Sequence, residues 1–119
     1  MELGANQLNA MPKEIGKLKN LTTLSLWSNK LSDLPDEVCN LTNLDDIFLT
    51  GNQLKTLPSK IGNLKKITSL ELTNNQLTTL PKSVKKITNL ELLFLVMNKF
   101  TEQEKKRINK LLPNCKIIY

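Results

Sequence analysis

The chain has 119 residues and a formal net charge of +6, with 39% hydrophobic, 4% aromatic and 24% charged residues. Leu, Ile, Val and Phe supply 38 of the 119, well above the roughly 20% below which chains stay disordered, so a folded single domain is expected. No apolar run approaches the roughly 18 residues of a membrane span, and Met1 to Lys13 lacks a charged region followed by an apolar stretch, so no export signal is legible. His is absent, which removes the usual general base and the commonest metal ligand together. The surplus of 17 basic over 11 acidic residues raises nucleic acid or an anionic membrane as partners, subject to where the charges sit.

In chain order the dominant feature is a repeat of 23 residues, marked by Asn6, Asn29, Asn52, Asn75 and Asn98. Residues 1–20 read as a partial first copy, 21–43, 44–66 and 67–89 as full copies, and 90–119 as the last copy with a C-terminal cap. The second copy runs Leu21, Leu24, Leu26, Asn29, Leu31, Leu34, Pro35, and closes on Val38 and Leu41. Alternation of apolar and polar residues in Leu24-Ser25-Leu26 and its counterparts predicts a short strand with one buried face. Stacked copies would form a parallel sheet with strands about 4.8 Å apart. Each Asn falls where strand gives way to return segment, where its amide can satisfy loop backbone. Pro in each return segment predicts short helical or 3₁₀ turns rather than a long helix.

Both ends depart from the pattern. The chain enters mid-repeat, which is expected to leave Met1, Leu3, Leu8, Met11, Ile15 and Leu18 partly open to water. At the other end Thr101 and Glu104 read as a capping box, acids open a helix and bases end it, and Ile108, Leu111 and Leu112 share a face. Pro113-Asn114 stops that helix, and Cys115 to Tyr119 reads as a last strand.

The pattern L-x-x-L-x-L-x-x-N-x-L-x-x-L-P-x-x-I-x-x-L resembles that of leucine-rich repeat proteins over nearly the whole chain. The resemblance implies a right-handed α/β solenoid: an arc with the parallel sheet on its concave face, short helical or 3₁₀ turns on its convex face, a helix-plus-strand cap, and an Asn ladder. The ending Leu-Leu-Pro-Asn-Cys-Lys-Ile-Ile-Tyr resembles, more narrowly, the C-terminal cap of leptospiral members. That implies an interaction scaffold in an exported or surface-exposed bacterial protein that meets host components. Read as a complete chain without an export signal, the protein belongs in the cytoplasm by default; read as a fragment, it belongs to a secreted or cell-surface protein.

Residues between the Leu positions are expected on the concave face. They place Trp27, Phe48 and Phe94, three of the five aromatics, on one surface with Asp46, Glu71, Leu92 and Met97. Clustered exposed apolar groups signal a protein partner; the alternative is that the cap or homotypic contacts shield Leu92, Phe94 and Met97. The basic residues are expected in the return segments and the C-terminal helix, away from the sheet. A nucleic-acid groove would interleave bases with aromatics, so the positive charge reads as a solvated convex face and no nucleic-acid partner is expected.

The remaining chemistry is sparse. Asp45, Asp46 and Glu71 could hold a divalent cation only loosely, so no metal and no cofactor are expected. Cys39 is placed on the convex side and Cys115 in the cap, too far apart for a disulfide. The Asn-Leu-Thr triplets at Asn20 and Asn40 are generated by the repeat itself. No catalytic constellation is present. The reading is a protein-binding module, not an enzyme, using Trp27, Phe48, Glu71 and Phe94 with Asp46, Leu92 and Met97 around them. The alternative is a scaffold that self-associates into a homo-oligomer through the uncapped N-terminal edge.

Overall fold

A computed structural model describes residues 1–119 as one arc of stacked coils. Five strands, β1 (Thr23–Ser25), β2 (Asp46–Phe48), β3 (Ser69–Glu71), β4 (Leu92–Phe94) and β5 (Lys116–Ile118), form one parallel sheet in sequence order. Strands β1 to β3 each pair with the counterpart 23 residues on, Leu24 beside Ile47, Ile47 beside Leu70 and Leu70 beside Leu93, and β4 pairs with β5 at an offset of 24, Leu93 beside Ile117. The incomplete first copy joins the sheet through a single bridge at Glu2, with Leu3 and Ala5 donating backbone N–H to Ser25 and Trp27 carbonyls at 2.8 Å.

The return segments contain 3₁₀ turns at Lys13–Lys17, Asp36–Asn40, Ile61–Asn63 and Lys82–Lys86. A cascade of three-residue hydrogen bonds runs through each: Val38 N–H to Pro35 O, Leu41 to Val38, and Leu44 to Leu41, all at 3.1 Å. Residues three apart eclipse in such a turn. Val38, Leu41 and Leu44 are consequently all buried, forming with Leu34 the convex half of a continuous core with the strand leucines.

Turns stack closely enough to exclude side chains at two places. A Cβ on Gly62 would collide with the Ser83 carbonyl oxygen, and one on Gly16 would lie 2.8 Å from that of Glu37. Cys39 occupies the equivalent position and is itself buried.

Helix α1 (Glu102–Leu111) closes the C-terminal end. Thr101 caps it, accepting from Glu104 N–H at 3.1 Å. The expected reciprocal half of the capping box is absent, because the Glu104 carboxylate instead accepts from the Thr79 hydroxyl at 2.8 Å and Arg107 at 2.7 Å. The Thr79 bond fastens the helix to the preceding coil, and Tyr119, at the end of the chain, ties to the helix by donating to the Lys105 carbonyl or the Asn109 side chain.

The N-terminal end is less open than the sequence predicts. Met11 and Ile15 are buried and Leu3 and Leu8 half-buried, leaving Met1 (39%) and Leu18 (42%) exposed. The return segment of the first copy is complete enough to bury its own apolar residues against the second coil.

Candidate functional site

Strand registers convert the repeat into rows of side chains across the sheet. One row runs Ser25, Phe48, Glu71, Phe94, Ile118; the next runs Thr23, Asp46, Ser69, Leu92, Lys116. Phe48 is exposed, whereas Asp46, Glu71, Leu92 and Phe94 are half-buried. Ser25 is on the same face but is only 3% exposed, between the Glu2 bridge and Phe48.

Trp27 lies two residues past Ser25, beyond the end of β1. A Cβ on Gly4 would run into its indole ring, so the ring leans over the first copy, away from β2, and remains 43% exposed. Met97 is the most exposed large apolar side chain, at 68%. Its backbone is left-handed, with φ of 58°, as it is at the equivalent Ala5, Ser28, Gly51 and Asn74. This turn aims the following ladder Asn into the core.

The Glu71 carboxylate accepts the Thr73 N–H at 2.9 Å through one oxygen. The only ion pairs in the chain are Lys105–Glu102 and Arg107–Glu104, both within α1, so Asp46 and Glu71 have no internal counter-ion. No three His, Cys, Asp or Glu groups converge closely enough to hold a metal ion.

Two residues of this face escaped the sequence reading. Ile118 extends the apolar row beside Phe94, and Lys116 stands beside Leu92, so the basic residues are not confined to the return segments and helix. Ile117 and Ile118 are both apolar, so alternation alone does not phase this strand; the β5 register, which packs the half-buried Ile117 against the core, turns its neighbours outward.

The ladder Asn side chains take defined partners. Asn52 accepts from Leu31 N–H at 3.1 Å and donates to the Leu26 and Leu49 carbonyls at 2.9 and 3.1 Å. Asn75 and Asn98 repeat this set one and two coils on, and Asn29 accepts twice, from Asn6 and Leu8 N–H. Asn6 differs: it is exposed, and its side chain bonds only the nearby Gly4 carbonyl, having no coil beneath it to bridge. Cys39, buried in its turn, has its thiol pKa pushed up to about 11, first by desolvation and then by Asp36. The Cys115 thiol is also raised, by burial. Both cysteines are free and neither is an activated nucleophile.

No helix is long and apolar enough to cross a membrane. Among solved structures the chain superposes along its full length on a leucine-rich repeat protein from Leptospira interrogans, with 45% identity and a TM-score of 0.98. It spans 30% of that protein's chain. An internalin from Listeria monocytogenes matches 92% of this chain at 29% identity and a TM-score of 0.73, this chain spanning 31% of it. The BIR3–SERK2 complex from Arabidopsis thaliana matches 85% at 28% identity and a TM-score of 0.75, over 56% of the matched chain. No match is found among curated proteins. The family model described as a leucine-rich repeat region matches residues 1–115, and with the 23-residue coil and its parallel sheet this places the chain in the leucine-rich repeat family.

Proposed function

We propose that the chain is a protein-interaction module, not an enzyme, and that it engages a partner protein through the concave face. The observation that carries this reading is the apolar surface there: Trp27, Phe48 and Met97 are exposed and Leu92, Phe94 and Ile118 half-buried. Aromatic and Met side chains of this kind form interface centres. The BIR3–SERK2 assembly is an interaction of the same general kind in a related fold. Similarity to the Leptospira protein and the Listeria internalin supports a bacterial source, and we further propose that the protein is exported or surface-exposed and meets host components. A photo-activated cross-linker at Thr50, on the concave face, should capture the partner, and one at Lys85, on a convex turn, should not. Trp27→Ala with Phe48→Ala should abolish the Thr50 adduct in a folded chain; an undiminished adduct would sink the assignment.

A second reading is homo-oligomerisation through the N-terminal edge. It is favoured by an apolar depression lined by Met1, Leu3, Leu8, Met11, Ile15 and Leu18, beside a strand edge paired on one side only. Scattering mass should then rise with concentration, and Leu18→Lys should suppress the rise. A mass that stays monomeric throughout argues against it.

A further inference from the structure

We propose that the Phe48–Glu71–Phe94 row is a clasp for an arginine side chain presented by the partner protein. This rests on the concave-face reading above and names the chemistry that the face selects. The register sets the three residues side by side on consecutive strands, about 4.8 Å apart, so a carboxylate is flanked by two rings. One Glu71 oxygen is anchored by the Thr73 N–H; the other accepts no hydrogen bond from the chain. Asp46, two residues before Phe48 on the same strand, adds a second carboxylate diagonal to Glu71. No Lys or Arg of the chain pairs with either one. The sole cation on these two rows, Lys116, stands at the far edge beside Leu92.

A hydrophobic partner segment would bury Asp46 and Glu71 without compensation, which is unfavourable. An acidic segment would meet like charge. A cation with a flat apolar face satisfies both features of the row: it stacks on Phe48 or Phe94 while its N–H groups bond the free Glu71 oxygen. Guanidinium suits this better than ammonium, because it is planar, more weakly hydrated and carries donors in a fork.

The probe is a blocked Gly-Arg-Gly tripeptide titrated into the isotopically labelled full chain and read by amide chemical shifts. The expected result is saturable shifts at Phe48, Glu71, Thr73 and Phe94 with millimolar affinity. Glu71→Gln, which keeps the oxygen that accepts from Thr73, should weaken binding about fivefold, and Phe48→Ala about threefold. The lysine tripeptide should bind more weakly, and the uncharged citrulline tripeptide should leave the spectrum unchanged. Shifts confined to Trp27, Thr50 and Met97, unaltered by Glu71→Gln, would overturn the clasp and leave the concave-face reading standing. Shifts confined to the convex turns would overturn both. Equal affinity for the lysine and arginine tripeptides, or no saturable shift at about 20 mM, would overturn the arginine assignment.

Discussion

At residue scale, the left-handed turn before each ladder Asn places an unequal burden on the five residues that occupy it. Gly51 and Asn74 suit that backbone; Ala5, Ser28 and Met97 adopt it at some cost. Met97 is largely exposed and loses little packing on replacement. Met97→Asn should therefore stabilise the isolated chain by about 0.5 kcal/mol, seen as a higher urea midpoint with an unchanged slope; a lower midpoint would contradict the strain argument. Cys39 supplies a second test at this scale. Its thiol pKa rises from 9.0 to about 11 on folding, so the unfolded chain loses its proton first. The associated stability is complete below pH 9 and fades as pH climbs towards 11. Cys39→Ala should flatten the fall in stability across that window relative to the parent chain. Alkylation of Cys39 at neutral pH should be slow until urea unfolds the protein.

At the scale of the element, the ladder divides into rungs that bridge coils and one that does not. Asn52→Ala strands the Leu31 N–H and two carbonyls in the core and should cost about 3 kcal/mol, whereas Asn6→Ala should stay within about 0.5 kcal/mol. Equal losses in urea unfolding would refute a role set by the neighbouring coil. All five Asn are identical in sequence phase, so their spacing made the ladder legible but could not reveal that Asn6 lacks a coil to bridge. The short return turns were legible from the Pro in each copy, which left helical and 3₁₀ forms open. Pro35, Val38, Leu41 and Leu44 fall three residues apart, the period at which a 3₁₀ turn eclipses its side chains. The capping box at Thr101 was only half legible: local pattern named both residues, but Thr79, more than twenty positions away, captures the Glu104 carboxylate. The candidate face was read from strand alternation, which gave Phe48, Glu71 and Phe94 as outward. The lean of Trp27 onto Gly4 depends on a glycine one coil earlier, and Lys116 and Ile118 depend on the register of β5; neither is a local signal.

At the scale of the whole molecule, each coil is supported only by its neighbours, so stability should vary along the solenoid axis. The C-terminal coil is covered by α1 and β5, fastened through Arg107 to the Leu80 carbonyl at 3.2 Å and through Tyr119 to α1. The first copy has a coil on one side alone and meets the sheet at one bridge. Local opening should consequently begin there and advance towards the cap. The amides of Leu3 and Ala5, bonded to Ser25 and Trp27 at 2.8 Å, make hydrogen bonds as short as that of Leu49 to Glu71. Bond length therefore predicts equal protection, while coil position predicts a gradient. Hydrogen exchange separates the two: Leu3 and Ala5 should exchange at least about tenfold faster than Leu49 and Leu72, because opening the end coil exposes only its own interface. Uniform protection would mean that the chain opens as a single cooperative unit. In that case the N-terminal edge would not be the weak end of the solenoid, and Trp27, seated on Gly4, would be held as firmly as Phe48 in the middle of the sheet.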